Sequence, residues 1–217
     1  MKLSIGIPCV NQTVPIQFFT SFLAMDKPDF TLLMPDIPSG MIAQRIATVR
    51  NSLVRQALYN DSTLLIMCDT DQIYPVDCIT KLLSHDLDVV AVRVHRRYPP
   101  FEPIMNRGEL TKYHHISDDE CFSGDLIEVD STGTGCICYN MQVFKSLSDP
   151  WFYRKDSPDK PVGEDVRLCS NLKDAGYKIY IDTSIEVGHL TTMVINRSFY
   201  ELFKAVKGYE WNKPKEN

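Results

Sequence analysis

Seven short apolar runs are spaced along this chain, and stretches with helical spacing lie between most of them. The runs are LSIGIPC (3–9), FTLLM (30–34), TLLIMC (63–68), LDVVAVRV (87–94), LIEVD (126–130), CICY (136–139) and KIYID (178–182). Runs this short and this rich in branched apolar residues read as strands, most of them buried on both faces. Strands that alternate with helices imply crossover connections. The sequence therefore predicts an α/β chain with a Rossmann-like, mostly parallel central sheet flanked by helices. Helical stretches are expected at 18–25, 41–59, 75–83, 141–147 and 164–176. In the second, apolar residues recur at 42, 46, 49, 53 and 57, one stripe of a helix. Arg45, Thr48, Asn51, Ser52 and Arg55 fall mainly off that stripe. Pro75 suits a first helical turn and Gly176 a helix C-terminus. In open α/β sheets ligands bind beyond the carboxyl ends of the strands, so residues just after each run are the ones to inspect.

Composition narrows the class. The 217 residues suffice for one domain, which can bury roughly 70% of its unfolded surface. With 44% hydrophobic and 24% charged residues, the chain is not disordered, collagenous or fibrous. Its net charge of -5 argues against unspecific nucleic-acid binding, which needs many cations on phosphates. The seven cysteines form no C-x-x-C pair, which excludes a zinc ribbon and a thioredoxin motif. Several sit in apolar runs as small hydrophobes, and the expectation is a cytoplasmic protein. The apolar run in MKLSIGIPCVNQ is too short for a signal peptide, and no run of about 18 apolar residues exists to span a membrane. No internal repeat or low-complexity linker is visible.

Asp69 and Asp71 stand at the end of the third run, in LLIMCDTDQIYP. Two carboxylates two residues apart in extended chain point to the same side. They repel unless a cation lies between them, and hard cations such as Mg²⁺ or Mn²⁺ take oxygen ligands. The alternative is a solvated acidic loop made of turn-forming Asp. Glu164 and Asp165 open a helix, where acidic residues are favoured by the helix dipole alone. The functional alternative is a general base, which must reach the proton of a hydroxyl. His189 follows Gly188 after a strand-like run; a lone His is more often structural. HRRYPP (95–100) is the only basic-aromatic cluster, either an anion contact or a solvated loop. It opens a long irregular stretch, 95–125, and loops that long are often functional. Cys136 and Cys138 point to one side of a strand, into the core.

Four segments carry a family resemblance. Arg50 and Asn51, in IATVRNSLV, resemble the Arg-Asn of the large inverting glycosyltransferase family that includes cellulose and hyaluronan synthases. VDSTGTGCICYNMQVFKSL, with Gly135, resembles its Gly-rich acceptor-side segment. PVGEDVRLCSNLKDAGYKIYID resembles its Glu-Asp motif, helix, turn and strand. SIEVGHL resembles the late Gly-His that supplies a metal ligand in many GT-A enzymes. Together they cover most of residues 3–190 in the family order. The chain departs at Pro8-Cys9-Val10-Asn11 after the first strand, and it lacks the Gln-x-x-Arg-Trp of processive synthases.

The resemblance implies a single GT-A-like domain over 1–217. A nucleotide-sugar half runs to about 94, an acceptor half from 95 to 190, and a helical tail from 191. It implies a metal-dependent, DXD-containing, non-processive hexosyl transfer from a nucleoside diphosphate sugar, a UDP-sugar first, with inversion. Asp71 and His189 would hold Mn²⁺ or Mg²⁺, with Asp69 on the ribose or reaching the metal through water. Pro8, Val10 and Asn11 would line the base and ribose, Thr70 would share the donor site, and Arg50 and Asn51 would lie toward the diphosphate. Gly135 and Glu164 would face the acceptor, and Asp165 would take its proton. The acceptor could be a glycan, protein, lipid or hydroxylated DNA base. Two other readings stand beside this one. A phosphatase of the haloacid dehalogenase type carries Asp-x-Asp on its first strand with Thr two places on, where this chain has Ile73 after a third strand. The other is a catalytically inactive nucleotide-sugar-binding module.

Overall fold

The computed structural model describes residues 1–10, 13–35, 46–110, 112–154, 162–192 and 196–197. Asn11, residues 41–45 of the expected second helix and most of the expected tail lie outside them. The first half of the chain runs β1 (Leu3–Gly6), α1 (Ile16–Ala24), β2 (Phe30–Leu33), α2 (Ile46–Tyr59), β3 (Leu64–Cys68), β4 (Gln72–Ile73), α3 (Cys78–Ser84) and β5 (Val89–Arg93). Then come β6 (Met105–Arg107), β7 (His114–His115), α4 (Asp118–Cys121), β8 (Leu126–Val129), β9 (Ser131–Thr132) and β10 (Cys136–Asn140). The chain continues through α5 (Gln142–Ser146), α6 (Glu164–Asp174), β11 (Ile179–Glu186) and β12 (Gly188–His189).

All seven apolar runs become strands of one sheet, in the order β2-β1-β3-β10-β5-β11-β8. Strands β1, β2, β3, β5 and β11 run one way. Strand β10 runs against both neighbours, and β8 runs against β11. The sheet is therefore mixed, with three of its six neighbour pairs antiparallel. Five strands share a direction, but β10 sits between β3 and β5. The sequence cannot show that, because a strand buried on both faces looks the same in either direction.

Both faces are covered, and the alternation of side chains assigns each residue to one. In β3, Leu65 and Met67 pack with α2, α5 and α6, while Ile66 and Cys68 pack with α1 and α3. In β10, Ile137 and Tyr139 face the first layer, and Cys136 and Cys138 the second, as core residues. All seven cysteines are buried and free. Helix α6 ends as expected at Gly176, whose φ of +87° favours glycine. Its N–H donates to Lys173 O at 2.9 Å and Tyr177 N–H to Leu172 O at 3.0 Å, which satisfies two terminal carbonyls.

The stretch 95–125 is less irregular than its Pro and Gly content implies. Strands β6 and β7 pair there, β9 joins them in a small second sheet, and α4 follows. Strand β11 also runs four residues beyond the expected end, with a register shift between Asp182 and Glu186. That shift delivers the chain to β12, which pairs with β4 as Gly188↔Ile73 and His189↔Gln72. Among the described residues no helix is long and apolar enough to cross a membrane.

Candidate functional site

The carboxyl ends of β1 and β3, the first turns of α2 and α6, and the 95–104 loop meet around a cleft of about 400 Å³. Pro8, Val10, Arg50, Asp69, Thr70, Asp71 and Glu164 line it, as do Thr13, Ile46 and Arg97. A hollow of about 520 Å³ at the opposite end of β3 holds Asp61, Asp86 and Lys145. No comparable set of paired carboxylates and arginines is seen there, so the smaller cleft is the better candidate.

Arg50 joins the two acidic motifs. Its Nη2 donates to both oxygens of Asp69, at 2.9 and 3.1 Å, and its Nη1 to Glu164 Oε1 at 2.7 Å. Only 5% of Arg50 is exposed. The Asp69 and Glu164 charges hold the guanidinium pKa above its usual value despite burial. Burial pushes the Asp69 carboxyl upward, against the pull of Arg50. The fold thus builds a largely buried ionic group here rather than a surface salt bridge.

Asn51, expected near the diphosphate, has a different task. Its Oδ1 accepts from Trp151 N–H at 3.1 Å and Phe152 N–H at 2.9 Å, and its Nδ2 donates to Phe152 O at 2.6 Å. The ring of Phe152 then lies 5.8 Å from the Arg50 guanidinium. The neighbouring residues act in series: Asn51 fixes the 151–152 segment, and that segment covers Arg50. Asn51 lies off the apolar stripe and is buried because 151–152 packs over that side of α2, whereas Arg50 falls among the stripe positions. Asn51→Ala is expected to destabilise the fold by about 2 kcal/mol, because it leaves two buried N–H groups and a carbonyl without partners. Urea denaturation checks this, and a midpoint equal to wild type would return Asn51 to the ligand.

Gly135, expected on the acceptor side, also sits behind the cleft. Its carbonyl accepts Asp69 N–H at 2.9 Å. The Tyr74 hydroxyl lies between Asp69 O at 2.7 Å and Gly135 O at 2.9 Å, sharing one proton. A Cβ on residue 135 would sit 2.9 Å from Val94 Cγ2, so the close approach needs glycine. Tyr74 and Gly135 together fix the backbone of the Asp69–Asp71 turn.

The β12–β4 pairing sets His189 beside Asp71. The imidazole Nδ1 donates to His95 O at 2.6 Å, so Nε2 is the free ring nitrogen, 3.4 Å from Asp71 Oδ2. Two acceptors face each other there, which requires either a proton on the imidazole or a cation between them. The pair thus fits a divalent cation. Asp69 does not complete it here, because both its oxygens are on Arg50. Among the described residues no group of three or more acidic, His or Cys side chains is placed to hold a metal. Burial works against the Asp71 charge, but the His189 hydrogen bond and charge, with Arg97, hold its pKa below the usual value. Arg97 reaches the same oxygen, with Nη1 at 2.9 Å. HRRYPP allows two readings, an anion contact or a solvated loop, and the fold places its Arg97 at the cleft. Its one signal was the basic-aromatic composition of HRRYPP.

Glu164, rather than Asp165, lines the cleft. Asp165 lies in the same first turn, with Oδ1 accepting Val166 N–H at 2.7 Å. Burial and then the Glu164 charge raise its pKa, against Arg50 and the Val166 N–H.

No protein-family model matches the sequence, and no curated protein matches it. Solved structures do. The chain is similar to A197 from STIV, with a TM-score of 0.61 and 17% identity over 88% of this chain and 87% of that one. It is also similar to GalNAc-T7, solved with UDP, GalNAc and Mn²⁺, with a TM-score of 0.61 and 11% identity over 89% of this chain. It spans only 44% of the GalNAc-T7 chain. At these identities the likeness establishes the fold: this chain has a GT-A-like α/β fold, shared with glycosyltransferases.

Proposed function

We propose that this protein is a metal-dependent glycosyltransferase. It moves a sugar from a nucleoside diphosphate sugar, a UDP-sugar first, to an acceptor hydroxyl with inversion. The observation that carries the reading is the β12–β4 pairing. It turns the free His189 nitrogen toward Asp71, in the cleft that Glu164 also lines.

Each residue then has a physical task. Pro8, Val10 and Thr70 line the nucleoside end, and Asn11, next in sequence, is proposed to join them. Asp71 and His189 hold Mn²⁺ or Mg²⁺, and Asp69, oriented by Arg50, faces the ribose. The cation, when bound, neutralises charge growing on the leaving diphosphate. Glu164 orients the acceptor while tied to Arg50. Asp165 takes the acceptor proton; burial and then the Glu164 charge raise its pKa, which favours proton uptake. The GalNAc-T7 structure contains UDP and Mn²⁺, which agrees with this donor chemistry.

Titration calorimetry with UDP, GDP and their sugars, with and without Mn²⁺, tests the reading. Binding should require the cation, and a hundredfold excess of ligand over Kd should stabilise the fold by about 2.7 kcal/mol. Asp71→Ala should abolish the cation-dependent part. Equal affinity in that variant with Mn²⁺ present would remove Asp71 from the site.

A further inference from the structure

We infer that Arg97 is a further catalytic residue, the protein's own cation for the diphosphate of the donor; this rests on the donor chemistry proposed above. The described lining of the cleft contains three carboxylates, Asp69, Asp71 and Glu164, and two arginines, Arg50 and Arg97. Three negative charges against two positive leave the lining at about -1, a poor host for an anion. A divalent cation reverses the sign but spends part of its charge on Asp71. A second cation must therefore face the phosphates, and the two arginines differ in their freedom to do so.

Arg50 is not free. It is buried, and its two terminal nitrogens are spent on Asp69 and Glu164. Turning it toward a ligand would leave two half-buried carboxylates unpaired. The Arg97 side chain is 53% exposed and is held by a contact to Asp71 Oδ2. An exposed ion pair is weak, so Arg97 can leave Asp71 at little cost when a divalent cation takes its place there.

The loop beneath Arg97 is built to present it. His95 Nδ1 donates to Phe101 O at 2.8 Å. Arg96 N–H donates to Glu102 O at 3.0 Å and its Nε to Glu102 Oε1 at 2.8 Å. These bonds clasp the loop around its base and leave the residue 97 side chain directed into the cleft. The His95 carbonyl also accepts the Nδ1 proton of His189. Residues 95–97 thus hold both His189 and Asp71, and a guanidinium from this segment comes to lie beside any phosphate bound to that pair.

In the transfer step the bond between the anomeric carbon and the diphosphate oxygen breaks, and the diphosphate leaves with the electron pair. The acceptor oxygen forms the new bond to that carbon, and its proton passes to Asp165. Arg97 donates two N–H groups to the leaving diphosphate as its charge grows, which a planar guanidinium does in one geometry.

Calorimetry of UDP and UMP in saturating Mn²⁺ tests this on wild type, Arg97→Ala and Arg97→Lys, with GDP and GMP as the second pair. Thermal melts of the free proteins accompany it. Arg97→Ala should weaken UDP at least about tenfold and UMP much less, with the melting temperature nearly unchanged and Lys recovering part of the loss. If Arg97→Ala binds UDP as tightly as wild type, or more tightly, Arg97 only competes with the cation for Asp71 and the assignment fails. If UDP and UMP weaken equally, Arg97 acts on loop structure and the assignment also fails. Wild type that binds neither diphosphate with Mn²⁺ sinks the donor chemistry itself, a result distinct from the other two.

Discussion

Asp165→Asn is expected to lower sugar transfer by about a hundredfold to ten-thousandfold, the usual cost of losing a general base. The affinity for UDP with Mn²⁺ should stay at the wild-type value. Asn keeps the shape of Asp and serves a helix start about as well. It cannot take a proton from a hydroxyl. The same substitution has a stability consequence of definite sign. The folded pKa of Asp165 is raised, first by burial and then by Glu164. A raised carboxylate stabilises the fold at pH below its unfolded pKa and loses that contribution as pH rises through the folded value. At neutral pH wild type therefore carries a penalty that Asn does not. The variant should melt at the wild-type temperature or above it at neutral pH, and lose that advantage in acid. Turnover and melting curves on one preparation check both halves. Wild-type turnover would move the base role to Glu164 and remove the residue-level support for inversion.

Arg50→Ala is expected to be the most destabilising single change in the site, by about 3 kcal/mol or more. The residue it removes pairs with Asp69 and Glu164 and lies against Phe152. Removing one member of a buried ionic group leaves the others charged and unpaired, and that penalty exceeds the net worth of the intact group. For a chain of this size each 1 kcal/mol moves Tm by roughly 2–4 °C, so a fall of about 6–12 °C is expected. The deficit should shrink as pH falls, because protonation removes the orphaned charge on Asp69. Arg50→Lys should recover only part of it, since an ammonium cannot bridge two carboxylates as the guanidinium fork does. Melts across a pH series measure all three effects. Loss of UDP affinity with an unchanged Tm would instead put Arg50 on the ligand and dissolve the triad.

Much of this fold was legible because its signals are local. TLLIMC, LDVVAVRV and KIYID are apolar runs too short for helices. Gly176 ends α6 because it takes a φ that other residues resist. The acidic pair stands at the end of β3 by sequence position alone. Elsewhere local reading did not reveal what the side chains touch. Asn51 sits off the apolar stripe of α2, where a polar residue is expected to meet water, and Arg50 is a charge set among the stripe positions themselves. They are buried because residues 100 or more positions away pack over them: Phe152 on Asn51 and Glu164 on Arg50.

The sequence by itself determined the seven strands of the main sheet, the helices other than α4, and the strand ends where the carboxylates stand, since these follow from the periods of the backbone. Only the tertiary structure decided that β10 enters the sheet antiparallel, that β12 folds back onto β4 to set His189 against Asp71, and that the 95–97 segment holds that pair. A two-residue strand has no periodicity to read, and an arginine's partner is set by which distant chain the sheet register brings within 3 Å. Both depend on pairings between segments far apart in the chain, and no window of the sequence contains them.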